Sequence, residues 1–305
     1  MHQRRYSKQE KQHDYTVADL VDRYIAIIIP QKIRDTNNDV AKLTWWKNQL
    51  GYCLLSELTP ALIAEKRERL LKEITFRKVR RSPATTNRYL ASLSNALTIA
   101  VKEWGWLENS PMIRMRKLKE PRGRVRFLSE AERIALLKSC KQSKHPYLYV
   151  IAVLALSTGM RQAEILNLRW EDIDLDRGHI LINESKNGDR RSVPLKGKAL
   201  DLFKAFHQFT GQDFGLVFCS LLSKNKPACL RWFWNKALKE SGVKNFRFHD
   251  MRHSAASYLA MSGATPSEIA EVLGHRTLAM VKRYAHISDH HSAGVVERMN
   301  KKFFG

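Results

Sequence analysis

The sequence predicts a mainly α-helical protein with one small antiparallel β-sheet, divided into two domains. Three observations carry this prediction. Apolar residues recur at helical spacing through roughly the first 110 residues. A basic stretch containing two prolines and a glycine, residues 111–126, separates them from the rest. One segment, HILINESKNGDRRSVPL, alternates around Asn187-Gly188, the dipeptide whose ready positive φ suits a two-residue hairpin turn. At 305 residues the chain also has the length of about two domains.

The elements follow in order. Residues 1–14 are polar and basic and are expected to form a flexible arm. From Tyr15 the pattern turns helical: Val17, Leu20, Val21, Tyr24 and Ile28 share a face, and the stretch ends near Pro30. A second helix is expected over 38–50, closed by Gly51. Thr59-Pro60 opens a third, with Leu62, Ile63, Lys66 and Leu70 on successive turns, and Ser82-Pro83 opens a fourth with the stripe Tyr89, Leu93, Leu97 and Val101. Proline suits the first helical position because an N–H there would lack an intrahelical partner anyway. Residues 15–110 therefore read as a helical domain, 111–126 as a linker and 127–305 as a second domain. In the latter, Ser129 and Glu132 form a capping box, and residues 147–156 are apolar enough to require burial. Beyond the hairpin the chain is expected to be helical, with a last capping box at Thr265 and Glu268.

Charge is the compositional outlier. There are 53 Lys and Arg against 30 Asp and Glu, a formal balance of +23. Residues 1–126 carry 26 basic and 13 acidic side chains, and residues 127–305 carry 27 and 17. Both halves are basic, so a long polyanion touching both is the simplest partner. An anionic membrane surface fits less well, since no basic amphipathic helix stands out. The longest apolar run, residues 147–156, is about half a membrane span. No signal peptide is legible at the start, and the four cysteines show no CxxC pair or metal spacing. A cytoplasmic protein without membrane attachment is expected.

Two basic clusters are candidate phosphate contacts. Residues 77–88 place Arg77, Lys78, Arg80, Arg81 and Arg88, with no acid among them, where the fourth helix starts. The linker adds Arg114, Arg116, Lys117, Lys119, Arg122, Arg124 and Arg126 against a single acid, and its self-repulsion favours an extended strap. A solvated loop and an exposed linker are the plain alternatives.

The residues that carry chemistry are scattered. Cleaving a phosphodiester by nucleophilic attack requires neutralised non-bridging oxygens, a deprotonated nucleophile and a protonated leaving oxygen. Arginine suits the first task through its charged fork, histidine the second and lysine the third. Arg161 follows the Thr158-Gly159 turn, and in RQAEILNL the residues Glu164, Ile165 and Leu168 share one helical face. Glu164 either orients the Arg161 guanidinium or caps the helix. His249 and Arg252 lie one turn apart in FHDMRHSAASYLA. His253, at i+4 from His249, permits a metal pair, but the HExxH pattern is absent and no metal is expected. His275 follows Leu273-Gly274, and Tyr284 sits in KRYAH. Taken singly, each has an ordinary structural reading.

Together, TGMRQAEIL, SKNGDRRSVPL, FHDMRHSAAS, LGH and RYAH, in that order and at these intervals, resemble the tyrosine recombinase (phage integrase) family over nearly the whole chain. The resemblance implies a helical core-binding domain, a basic linker and a tyrosine-recombinase catalytic domain. It implies that Tyr284 attacks the scissile phosphate and becomes joined to the DNA 3′ end, with no cofactor. Arg161 and Arg252 would clamp the phosphate, His275 would add a contact, His249 would act as base towards Tyr284, and Lys186 at the hairpin tip would protonate the leaving 5′ oxygen. Glu164 matches a supporting acidic position. The partners implied are double-stranded DNA attachment or recombination sites and further copies of the chain in a tetramer on two duplexes, with room for accessory directionality or DNA-bending proteins. Val295, Val296, Met299 and Phe303 fall at helical spacing in a C-terminal segment that in this family commonly docks on a neighbouring subunit. Only about 14 residues precede the first helix, so a developed arm-binding domain is expected to be absent. Integration or excision of a mobile element is the expected task. Chromosome-dimer resolution, a type IB topoisomerase and a catalytically idle DNA-binding regulator are the alternatives.

Overall fold

The computed structural model describes residues 14–32, 36–76, 78–121, 123–183, 190–275, 277–287, 297 and 299–305. The chain divides into two compact units, Met1–Arg122 and Gly123–Gly305.

Four α-helices build the first unit: α1 (Val17–Arg23), α2 (Asn37–Leu50), α3 (Pro60–Lys72) and α4 (Pro83–Lys102). Helix α1 starts at a capping box between Thr16 and Asp19 and passes into a π-helical turn, Tyr24–Ile28, and a 3-10 turn, Ile29–Gln31, that holds Pro30. The hydroxyls of Thr59 and Ser82 accept from Leu62 N and Thr85 N, each at 3.2 Å, which satisfies one otherwise orphaned donor per helix. Leu20, Leu43, Trp46, Leu50, Ile63, Leu93 and Leu97 are fully buried between the helices. The Trp46 indole N–H donates to the Tyr89 carbonyl at 2.8 Å, so the largest core side chain leaves no polar atom stranded. The stretch after α4 is tied down as well. Buried Asn87 donates to the Leu118 carbonyl and accepts from the Leu118 N–H, both at 2.9 Å, and donates to Glu120 at 2.8 Å.

The second unit is organised around α6 (Leu148–Thr158), whose side chains are buried on nearly all sides, as an apolar run demands. Helices α5 (Glu130–Lys141), α7 (Gln162–Leu166), α8 (Lys198–Thr210) and α10 (Asp250–Met261) pack on it, and α9 (Arg231–Ser241) packs on α5. The capping boxes at Ser129–Glu132 and, for α11 (Pro266–Leu273), at Thr265–Glu268 are both formed. The expected hairpin is present as β2 (His179–Ile182) and β3 (Arg191–Pro194), with β1 (Ile173–Asp174) added on the far edge of β2. The register pairs Ile180 with Val193 and Ile182 with Arg191, so Ile180, Ile182 and Val193 face the core. The Asn187-Gly188 turn itself lies outside the described residues.

One expectation fails in this unit. The chain after the hairpin is not wholly helical, because β4 (Cys219–Ser220) and β5 (Ser223–Pro227) form a second, two-stranded ribbon. The segment SKNKP has little β-propensity and no apolar alternation; what holds the ribbon's root is buried Phe218, whose carbonyl accepts from Ala228 N at 2.9 Å. Among the described residues no helix is long and apolar enough to cross a membrane.

Helix α6 ends at Gly159, whose φ of +63° is the left-handed conformation that glycine adopts without strain. A Cβ there would sit 2.2 Å from Leu273 Cδ2 and 3.3 Å from Ala255 Cβ, where α6, α10 and α11 meet. Gly159→Ala is therefore expected to lower unfolding free energy by about 2 kcal/mol or more, from backbone strain and overpacking together. Denaturant unfolding of the two chains measures this, and equal midpoints would show that the junction relaxes freely.

Candidate active site

Helix α10 is the rigid base of the site. Its Ser254 hydroxyl accepts from Leu128 N at 3.1 Å and its Tyr258 hydroxyl donates to Leu128 O at 2.9 Å, which pins the helix to the segment entering the unit. Asp250, at its start, accepts from Arg247 N at 2.8 Å and from Arg124 at 2.9 Å. Arg252 then projects inward and is 5% exposed. One arm of its guanidinium, Nη1, donates to the Gly159 carbonyl at 2.8 Å. The other, Nη2, is buried without a partner among the described residues. Burial first, and the nearby Arg161 second, pull the Arg252 pKa down to about 10.

Arg161 stands at the N-terminal end of α7, and Glu164 both caps the helix and orients the guanidinium. Its carboxylate accepts from Arg161 N at 2.9 Å and from Arg161 Nη1 at 2.7 Å. The same carboxylate is gripped from β3 by Arg191, whose Nη1 and Nη2 donate at 3.1 and 2.7 Å. Burial alone would raise the Glu164 pKa, but Arg191 and Arg161 outweigh it and hold the group at about 2. Arg191 was not among the residues the sequence singled out. It lies in the quoted hairpin motif, yet nothing local distinguishes it from Arg190 before it.

His275 follows Gly274, the left-handed end of α11. A Cβ on Gly274 would fall 2.7 Å from Arg191 Cδ, so the missing side chain is the space through which Arg191 reaches Glu164. His275 Nδ1 is buried and unpartnered among the described residues. Burial, then Arg252 and Arg161, bring its pKa to about 4, which keeps the ring neutral near pH 7.

Tyr284 lies in a 3-10 turn, Lys282–Ile287, and is 2% exposed. Its ring belongs to a second, smaller core with Ala256, Ala260, Ile269, Leu273 and Val281. Burial raises its pKa, against the pull of Arg283 and Arg252. Its hydroxyl hydrogen-bonds to His253 Nδ1. The structure thus brings His253, one turn further along α10, to the phenol, where the sequence analysis expects His249. The His249 ring stands edge-on to His253 at 5.5 Å between centroids and is exposed. Burial, then His249 and Arg283, lower the His253 pKa to about 4. The only sequence signal for His253 was its i+4 spacing from His249, which suggested a metal pair.

Of the remaining candidates, Lys186, Arg77 and Arg122 lie outside the described residues. Lys78, Arg80, Arg88, Arg114, Arg116, Lys117 and Lys119 are exposed on the first unit. Three others are tied to carboxylates of their own unit. Arg81 meets Glu73 at 3.2 Å, Arg124 meets Asp250 at 2.9 Å, and Arg126 pairs with Glu132. Of the C-terminal apolar residues, Met299 and Phe303 are exposed, and Val295 and Val296 fall outside the described residues.

The arrangement is matched by known proteins. The model of the phage integrase family matches residues 126–291. Over 236 residues the chain is 38% identical to the shufflon-specific DNA recombinase of Escherichia coli, covering 76% of this chain and 59% of that protein. It is 32% identical to the integrase of Salmonella phage P22 over 223 residues, covering 68% of this chain and 55% of that protein. The matches thus span less than two thirds of either relative's length. The fold is similar to that of the Tn1549 transposon integrase in complex with transposon right end DNA, with a TM-score of 0.73, 18% identity, and 93% of this chain and 99% of that one covered. A lambda integrase dimer bound to a COC' core site gives a TM-score of 0.69 at 20% identity, covering 93% and 81%.

The Glu164 carboxylate makes a pH prediction. Its pKa is depressed from the ordinary 4.5 to about 2, so its contribution to stability is fully present above pH 4.5 and is lost as pH falls towards 2. Glu164→Gln should cost about 3 kcal/mol near pH 7, since it strands two guanidinium groups. The difference between the two chains should shrink on acidification through that window, as followed by thermal unfolding at several pH values. A gap that stays constant would remove Glu164 as the titrating group.

Proposed function

The chain belongs to the phage integrase family, and we propose that it is a tyrosine site-specific recombinase that cuts and rejoins double-stranded DNA through a covalent 3′-phosphotyrosyl intermediate. The observation that carries this reading is the combination of buried, unpartnered nitrogens on Arg252 and His275 with a tyrosine hydroxyl already hydrogen-bonded to a neutral imidazole. Buried polar groups are normally paired, and a buried guanidinium arm and an imidazole nitrogen left unpaired fit an anion that arrives from outside. A scissile phosphodiester is such an anion. Arg161 and Arg252 neutralise its non-bridging oxygens, and His275 donates a further hydrogen bond from Nδ1. Tyr284 Oη attacks phosphorus in line with the 5′ oxygen, the P–O5′ bond breaks, and the 3′ end is left on the tyrosine. Lys186, in the sequence between β2 and β3, supplies the proton that the 5′ oxygen takes. The phosphotyrosyl bond retains the energy of the phosphodiester, so a 5′-hydroxyl from a partner duplex can attack it and complete the exchange without ATP.

Glu164 has a supporting role, holding Arg161 from one side and Arg191 from the other. The exposed cations of the first unit, among them Lys78, Arg80, Arg88 and Arg114, are proposed contacts for the DNA backbone. Arg81, Arg124 and Arg126 serve instead as internal ties. A lambda integrase tetramer bound to a Holliday junction, TM-score 0.68 at 20% identity, supports a tetramer on two duplexes as the working assembly. The relatives, a phage integrase and a shufflon-specific DNA recombinase, favour integration or excision of a mobile element as the task.

With a nicked duplex built from the DNA flanking the gene, the wild-type chain should form a denaturation-resistant adduct, and Tyr284→Phe should bind the duplex but form none. An adduct from the Phe variant would sink the assignment. Arg252→Ala should slow adduct formation by about two or more powers of ten, because one preorganised donor to developing charge is worth about 3–4 kcal/mol. Near-normal cleavage would take Arg252 out of the site.

A further inference from the structure

We propose that His253 is a catalytic residue, the base that takes the proton of Tyr284 as the phenol attacks the phosphate. This rests on the reading of Tyr284 as the nucleophile. The geometry comes first. The Tyr284 hydroxyl and His253 Nδ1 share a hydrogen bond, and this is the line along which a proton would leave. The base role requires the tautomer in which Nδ1 accepts and the ring's own hydrogen is on Nε2. Both ends are held in place. Tyr284 is seated in the smaller core, and His253 stands on a helix pinned at Leu128.

The charges around His253 determine when it can act. On its own helix it faces His249, Asp250 and Arg252; from the tyrosine's turn it faces Arg283; and its own field reaches His275 at the end of α11. Burial first, and then these cations, hold the ring neutral near pH 7, available as an acceptor but a weak base. A bound phosphodiester changes that balance. Its negative charge offsets Arg252 and Arg283 and stabilises the imidazolium that proton transfer creates. The substrate itself thus strengthens the base, and without DNA the nucleophile stays a protonated phenol. In the forward step the proton moves from Oη to Nδ1, an Oη lone pair forms the bond to phosphorus, P–O5′ breaks, and the 5′ oxygen takes a proton from the lysine proposed above. On rejoining, the imidazolium returns its proton to the departing phenolate. His249, exposed and edge-on to His253, lies on the outer side of this pair.

The test uses the full chain and the same nicked duplex. His253→Asn places Oδ1 where Nδ1 stood, so it can still accept the hydrogen bond but cannot hold the proton. We expect DNA affinity within about twofold of wild type and adduct formation slowed by about 100-fold or more, with a rate that rises as pH rises. Replacing Tyr284 by 3,5-difluorotyrosine, a more acidic phenol, should recover at least about tenfold of that loss, because an ionised nucleophile needs no base. Loss of mere positioning would show no such recovery. Cleavage by His253→Asn within about threefold of wild type, or a defect that the fluorinated tyrosine does not relieve, overturns the proposal. If the Asn variant does not fold, His253→Ala, which also lacks a base, is read by the same recovery with the fluorinated tyrosine. A wild-type chain that forms no adduct, or a Tyr284→Phe variant that forms one, overturns the recombinase reading as well, so the two failures are distinct.

Discussion

Three guanidinium groups, from Arg161, Arg191 and Arg252, gather in a partly dry site around one carboxylate, and the fold has to carry that surplus of positive charge. Removing a guanidinium from water is costly unless each arm finds a partner. Glu164 serves two of the three and is held ionised far below its usual range. Among the described residues Arg252 has the Gly159 carbonyl as its one hydrogen-bond partner, a dipole at the last turn of α6, where the unsatisfied carbonyls of a helix concentrate negative partial charge. The packed end of α6 is therefore part of the electrostatics of the site. So is the pinning of α10, because a helix free to shift by an ångström would let water reach Arg252.

Helix α10 also joins two cores of unequal size. Met251 packs into the large core around α6, whereas Ala256 and Ala260 pack into the small one that seats Tyr284. The cationic centre is thus built on the larger core of the unit, while the phenol rests on a cluster with few buried side chains. Local opening free energies follow local burial, so the tyrosine's turn lies at the less stable end of the unit. The hydrogen bond to His253 spans this difference, linking the turn to the rigid helix.

What was legible in the sequence was local. The four helices of the first unit, their Thr59 and Ser82 caps, the capping boxes at Ser129 and Thr265, and the hairpin all follow from rules that act within a few residues. Arg161, Arg252, His275 and Tyr284 are singled out in the sequence because their motifs resemble a family's, not because spacing alone places them together. What escaped depends on neighbours distant in sequence. Arg191 matters because Glu164 lies across from it, and His253 because Tyr284 comes to rest beside it. The β4–β5 ribbon is held at its root by backbone bonds and by Phe218 rather than by any alternating pattern. Arg124 and Arg126 looked like free cations because Asp250 and Glu132, which bind them, cannot be seen as partners until the chain is folded.

Gly274 shows how such a dependence hides in a short motif. Read along the chain, Leu-Gly-His is a helix stop followed by a polar residue. In space, the hydrogen atom that stands for a side chain at 274 borders the aliphatic part of Arg191. Positions 191 and 274 therefore share one volume, and neither can enlarge unless the other shrinks. A chain that gained a methyl at 274 could keep its backbone path only by shortening residue 191, and would then lose the second hand on Glu164.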